Sequence, residues 1–184
     1  MVKNMKTIRE LFKSIYLENK RRRYKTTYIA IDLHGTLLRP TKLTNMVLGD
    51  GAKIPKEIVC YRIPKQKYYD CAIPCLQLLS ANPDFKLILW TSSKPDEIHE
   101  IEEDLKKQGI EIDYVNRNPD FPGNEYADFT NKFCFDLLLD DKAGFDPEED
   151  WRELLEMLKL SDWKDFFERN GIYTTQYSND SEKK

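Results

Sequence analysis

Apolar and polar positions along the chain alternate between a strand pattern and a helix pattern. Continuous apolar runs at 28–31 and 85–90, the second broken by one lysine, have the length and composition of buried strands. Runs at 110–115 and 133–139 predict two more strands, with Asp136 as the polar residue inside the last one. Because predicted helices separate the strands, we expect an α/β fold, a three-layer Rossmann-like parallel sheet with helices on both faces.

The helix pattern is clear at the start of the chain, where Ile8, Leu11, Phe12 and Ile15 follow the spacing of one buried helical face. This spacing predicts an amphipathic helix over about the first 18 residues. Further helices are expected at 71–80, with Asp70 as its cap, and at 95–109, 147–158 and 163–167.

The length of 184 residues is that of one domain. We expect a basic amphipathic helix over 1–25, the α/β domain over 26–171, and a polar tail at 172–184 that is disordered. Within the domain, 38–68 contains three prolines and two glycines and has no helical period. This composition predicts a loop with a small β-hairpin flap.

Charge is unevenly distributed along the chain. The net charge is -3, yet residues 1–25 hold nine Lys or Arg and two Glu, so the remainder is acidic. The basic run at 20–23 has two interpretations that stay open, contact with the phosphates of a polyanion or an ordinary solvated helix end. The acidic body argues against general coating of nucleic acid.

Two sequence features indicate the compartment. No apolar run approaches the roughly 20 residues that span a bilayer, and the chain does not begin with the apolar segment of a secretory signal. The four cysteines lack the paired spacings of a zinc site or a disulfide framework, and Cys71 and Cys75 are spaced for helix packing. We therefore expect a soluble cytoplasmic protein without a membrane partner.

Polar side chains follow three of the predicted strands. Asp32 ends the first, Thr91, Ser92 and Ser93 follow the second, and Asp140 with Asp141 follows the last. The carboxyl ends of parallel strands meet at one edge of a sheet, so these groups can share a site. A carboxylate nucleophile, hydroxyls and an acidic pair that holds Mg²⁺ are what phosphoryl transfer through an aspartyl-phosphate needs.

The stretch Asp32-Leu33-His34-Gly35-Thr36 resembles the first motif, Asp-x-Asp-x-Thr, of the haloacid dehalogenase superfamily of phosphohydrolases. The resemblance extends over about residues 27–160. Thr91 matches the second motif, Asp140-Asp141 the fourth, and Lys132 is the best match to the third-motif lysine, with Lys142 as the weaker candidate. The resemblance implies that Asp32 is the nucleophile and that Thr91, Ser92 and Lys132 contact the phosphate. It also implies Mg²⁺ on Asp32, Asp140, Asp141 and the main-chain carbonyl of His34.

His34 departs from this motif, because family phosphatases have an aspartate there that protonates the leaving group and activates water. Imidazole, with an ordinary pKa of about 6.5, can carry a proton in both directions near neutral pH. We expect His34 to act as the acid/base. The alternatives are a weakened enzyme, or a phosphate-binding interaction protein that docks a partner through the helix at 7–16.

Several smaller assignments have a structural alternative. Thr91 could cap the helix that follows it, although Ser93 is better placed to do so. Asp146 could be a further acid near the metal, or it could cap the helix that begins at Pro147. The insertion at 38–68 is too short for a helical cap domain. By resemblance, an open cleft favours a large phosphorylated substrate, such as a nucleic-acid end or a protein, whereas other capless members take small esters as oligomers. The oligomeric state is left open.

Overall fold

The computed structural model describes residues 7–39, 68–129 and 132–160. These residues form a four-stranded parallel sheet in the order β3-β2-β1-β4. The strands are β1 (Thr27–Asp32), β2 (Phe85–Trp90), β3 (Tyr114–Val115) and β4 (Leu137–Leu139). The predicted α/β fold class with a parallel sheet is confirmed.

Four helices are described, and they begin and end close to the positions that the sequence indicated. They are α1 (Ile8–Arg21), α2 (Ala72–Ser80), α3 (Pro95–Lys107) and α4 (Asp150–Leu158), with a short 3-10 turn at Asp141–Ala143. Pro95 is the first residue of α3, and Gly109 lies just beyond its end with a φ of +76°. Proline at a helix start and glycine in the left-handed region after its end are the expected terminators.

The two faces of the sheet are covered by different kinds of structure. Ile29 and Leu87 face a core to which all four described helices contribute, and Ala30 and Ile88 face the opposite side. Phe121, Phe133 and Phe135, from the described parts of the connection between β3 and β4, cover that second face. The three layers are present, but among the described residues the third layer is this irregular connection and not the expected second set of helices.

Crossover geometry explains this arrangement. The steps from β1 to β2 and from β2 to β3 run in the same direction across the sheet, so right-handed connections place α2 and α3 on the same face. The return from β3 to β4 runs the other way and therefore crosses the opposite face.

Helix α1 belongs to the domain core. A capping box between Thr7 and Glu10 opens it, and Ile8, Phe12 and Tyr16 are buried. The Phe12 ring packs on Phe85 with a centroid distance of 5.4 Å. The apolar face on which partner docking was hypothesised is thus covered by the chain's own core.

Side chains extend the sheet beyond its two short outer strands. Asp113 accepts a hydrogen bond from the amide of Leu87 at 2.8 Å, and Asp136 does the same for the amide of Tyr28 at 2.8 Å. These carboxylates take positions that a strand backbone would occupy, so β3 and β4 are shorter than the predicted strands at 110–115 and 133–139. They also explain the acid inside the last apolar run.

Two expected helix caps have different outcomes. Asp70 does not cap α2, because the chain enters this helix through Cys71 in the left-handed region at φ 68° without a side-chain cap. Asp70 is exposed and lies 3.7 Å from the guanidinium of Arg39. Asp146 accepts from the amide of Glu148 at 3.1 Å and so belongs to the turn that leads into α4.

Some expectations concern residues outside the described ranges. The flap interior at 40–67, the helix at 163–167 and the tail at 172–184 are among these. The base of the flap is described, and there Leu38 and Tyr68 form an antiparallel bridge. None of the helices in the described parts of the chain has the length and apolar character that crossing a bilayer requires.

Candidate active site

Three carboxylates converge at the carboxyl edge of the sheet. Strands β1 and β4 are neighbours, with Ile31 paired to Leu139, so Asp32 and Asp140 follow at the same level. One oxygen each of Asp32, Asp140 and Asp141 lies within 4.8 Å of the others. Residues more than a hundred positions apart in the chain thereby form one acidic cluster.

Thr36 connects the two sides of this cluster. Its hydroxyl accepts from the amide of Asp141 at 2.9 Å and donates to Oδ2 of Asp32 at 3.4 Å. Its carbonyl accepts from the indole Nε1 of Trp151 at 2.8 Å. Thr36 and Trp151 are both fully buried, so the core of the domain holds the loop after β1 in place.

Gly35 allows the close approach of the loop to Asp141. Its φ is +91°, and a Cβ atom built on it would lie 3.1 Å from the carboxyl carbon of Asp141. Glycine is the residue that adopts this conformation without steric cost, and it leaves room for the carboxylate.

The two candidate lysines differ in their positions. Lys142 forms an ion pair with Asp141, and its amide donates to Oδ1 of Asp140 at 2.7 Å. The hydrogen bond to Asp141 raises the pKa of Lys142. Lys132 is exposed, and no described contact joins it to the acidic cluster. The lysine beside the acids is therefore Lys142, the weaker candidate from the sequence.

A positive charge beside the three carboxylates would stabilise their ionised forms. Burial, with repulsion from Asp140 and Asp141, raises the pKa of Asp32. Oδ1 of Asp141 is buried without a hydrogen-bond donor among the described residues. Carboxylate oxygens are the ligands that Mg²⁺ prefers, so this donor set fits the expected cation. The imidazole of His34 lies outside the set.

The segment after β2 supplies hydroxyls. Thr91 is buried, and the Asn116 side chain accepts from its amide at 2.8 Å and donates to its carbonyl at 2.7 Å. The Thr91 hydroxyl donates to Oγ of Ser93 at 3.0 Å. Ser92 is exposed and has no described contact with the acids. Neither Thr91 nor Ser93 caps α3, because Lys94 occupies the cap position without a side-chain bond.

His34 contacts Ser93, one of the strand-end hydroxyls indicated by the sequence, and Glu97, which was not assigned to the site from the sequence. Its Nε2 lies 3.1 Å from Oγ of Ser93 and 2.9 Å from Oε1 of Glu97 in the first turn of α3. The sequence offered a weak signal for Glu97, an acid in a helical first turn, which is common for reasons of the helix dipole alone. The contact depends on how α3 sits beside the loop after β1.

Comparisons with known proteins give one structural similarity. No protein-family model matches the sequence, and no curated protein matches it significantly. Among solved structures, the chain is similar to a conserved protein coded by a locus from Bacteroides thetaiotaomicron. The two are 26% identical over 73% of this chain and 90% of that one, with a TM-score of 0.47.

Proposed function

We propose that the protein is a Mg²⁺-dependent phosphomonoester hydrolase of the haloacid dehalogenase type. The observation that carries the proposal is the convergence of Asp32, Asp140 and Asp141 within 4.8 Å, at the end of the strand that carries the motif. A carboxylate nucleophile beside two further acids is the arrangement that phosphoryl transfer to an aspartate requires.

The reaction begins with Asp32. A carboxylate oxygen of Asp32 attacks phosphorus, the ester P–O bond breaks, and the alcohol leaves with a proton from His34. Water then attacks the aspartyl-phosphate, gives a proton to His34, and releases inorganic phosphate while the Asp32 carboxylate is restored.

Other residues bind and orient the phosphoryl group. Asp32, Asp140, Asp141 and the main-chain carbonyl of His34 would hold Mg²⁺, which would supply the positive charge that offsets repulsion between the anionic nucleophile and the phosphate. The ammonium of Lys142 supplies donors for the phosphate oxygens, and the hydroxyl of Thr91 supplies another by turning from Ser93 to the phosphate.

The proposed substrate class rests on the length of the insertion at 38–68, which is too short for a helical cap domain. We infer an open cleft that takes a phosphorylated nucleic-acid end or a phosphorylated protein. The basic run at the end of α1 contributes less than its sequence indicates, because Glu18 forms ion pairs with Arg21 and Arg22. These ion pairs neutralise part of the positive charge that a polyanion would contact.

Phosphate release from p-nitrophenyl phosphate tests the proposal. We expect turnover with Mg²⁺, none with a chelator, and a loss of about three orders of magnitude or more in Asp32→Asn. Glu156→Gln, an exposed acid-to-amide change on α4, is the matched control and should retain activity. Equal background rates in the wild type and Asp32→Asn, together with stabilisation by inorganic phosphate, would instead favour a binding protein without turnover.

A further inference from the structure

Glu97 places a carboxylate against the one residue that departs from the motif. Its Oε1 lies 2.9 Å from Nε2 of His34, although the two residues belong to different crossovers of the fold. We propose that Glu97 is the positioning residue of His34. It holds the imidazole by its Nε2–H group and leaves Nδ1 as the atom that exchanges a proton with the leaving group and water. This assignment of Nδ1 rests on the proposed phosphatase function.

The proton arrangement follows from the chemistry of the two groups. An ionised carboxylate only accepts hydrogen bonds, so the ring nitrogen that faces it carries hydrogen. A neutral imidazole has one N–H group, and its lone pair is then on the other nitrogen. With Nε2–H directed at Glu97, Nδ1 is the atom with a free lone pair.

Ser93 does not replace Glu97 in this role. Its Oγ lies 3.1 Å from the same Nε2 and accepts from the hydroxyl of Thr91. A hydroxyl can accept or donate, so by itself it does not fix the ring tautomer. Ser93 instead lies between His34 and Thr91, the expected phosphate contact.

Two observations separate this role from an ordinary helix-dipole interaction. Asp96 in the same turn of α3 already supplies a negative charge at the helix start, and it is exposed. Glu97 is more buried, with 26% of its side chain exposed, and no described ion pair joins it to a lysine or arginine. Its described charge partner is the imidazole of His34.

Orientation matters because His34 lies near the surface, with 42% of its side chain exposed. An exposed imidazole samples several rotamers, and a misplaced acid/base can lower the rate by about 100-fold. The motif's missing carboxylate is in this way supplied from α3, as a partner of the histidine.

Nitrogen NMR at alkaline pH, where imidazole is neutral, tests the contact without turnover. The chain has two histidines, and the exposed His99 is an internal reference for a free ring. We expect His34 to be the Nε2–H tautomer to a greater degree than His99, and to resemble His99 in Glu97→Ala. Wild-type His34 with a tautomer mixture equal to that of His99, or with Nδ1–H, would overturn the proposal.

Kinetics with two leaving groups test the consequence for catalysis. In Glu97→Ala we expect kcat/KM, which reports the steps up to departure of the alcohol, to fall by about 10-fold to 100-fold for phenyl phosphate and by less for p-nitrophenyl phosphate. The nitrophenolate leaves without a proton, so a merely structural defect would lower both rates equally. Glu97→Gln should recover part of the rate, because its amide oxygen still accepts from Nε2 whereas its NH2 group can also donate.

Glu100→Ala, an exposed acid on the same helix, is the matched control and should behave as wild type. Equal losses for both substrates, or full activity in Glu97→Ala, would overturn the inference while leaving the phosphatase proposal intact. Absence of wild-type turnover would overturn the phosphatase proposal and the assignment of Nδ1. The tautomer measurement would then decide whether Glu97 holds His34.

Discussion

Asp32, Asp140 and Asp141 bring three carboxylates within 4.8 Å of one another, and the effect of this crowding is seen at Asp32. Burial adds to the repulsion, and together they raise the pKa of Asp32. Lys142 supplies one positive charge, through its ion pair with Asp141. The site is therefore stabilised by added cations or by removal of a carboxylate.

The raised pKa of Asp32 predicts a stability change of definite sign. Between the ordinary carboxyl pKa and the raised one, the folded protein binds more protons than the unfolded chain, so stability falls as pH rises through this window. At neutral pH in a chelator, Asp32→Asn should therefore raise the Tm. Added Mg²⁺ should raise the Tm of the wild type more than that of the variant.

Thermal unfolding with chelator and with Mg²⁺ measures both effects. Glu156→Gln removes an exposed carboxylate and should leave the Tm unchanged in either condition. A lower Tm for Asp32→Asn in chelator would contradict the assigned electrostatics.

Thr36 permits a second prediction at this scale, because threonine and valine have nearly the same shape. Thr36→Val leaves the amide of Asp141 without its buried acceptor and should cost about 1–3 kcal/mol in the free energy of unfolding. Thr36→Ser keeps the hydroxyl and should cost less. Denaturant titration of both variants measures the free energy of unfolding. Equal losses in the two variants would show that the hydrogen bond to the Thr36 hydroxyl does not stabilise the fold.

At the scale of elements, the turn after β1 is the piece that forms the site. Local signals in the sequence predicted the strand that precedes this turn and the helices that flank it. The Gly35-Thr36 pair indicated the turn itself. These signals did not predict the pairing of Asp113 and Asp136 with strand amides, or the contact between His34 and Glu97. Those features depend on how separate elements pack, and apolar periodicity contains no information about that packing.

Two glycines allow the turn to be tested with a matched control. Gly35 and Gly109 both have positive φ, but only the Cβ added at Gly35 meets an atom within 4 Å, the Asp141 carboxyl at 3.1 Å. Gly109→Ala should cost about 1 kcal/mol from backbone strain. Gly35→Ala should cost more and should weaken Mg²⁺ binding, measured by calorimetric titration. Equal stability losses with unchanged Mg²⁺ affinity would contradict the close approach.

At the scale of the whole molecule, α1 and α4 contribute to one core with α2, α3 and the helix-facing side of the sheet. The basic amphipathic helix at the start of the chain is therefore part of the fold. The apolar periodicity predicted this helix correctly, but periodicity alone does not tell whether an apolar face packs on its own domain or on another protein.

This placement predicts contrasting effects at two adjacent residues of α1. Phe12 is buried and packs on Phe85, whereas Leu11 is 36% exposed. Phe12→Ala should lower the free energy of unfolding by about 3–5 kcal/mol, and Leu11→Ala by about 1 kcal/mol or less. Denaturant unfolding measures both, and a small loss for Phe12→Ala would mean that α1 is not packed on the domain.

The central claim is that Asp32 takes the phosphoryl group in a reaction that needs a cation held by the three acids. Its most direct test is to mix the protein with a phosphorylated substrate and Mg²⁺, quench with acid, and locate the attached phosphoryl group by mass spectrometry of peptides. We expect it on Asp32, dependent on Mg²⁺ and absent from Asp32→Asn. Mg²⁺-dependent turnover with no phosphoryl group on Asp32 would contradict the account.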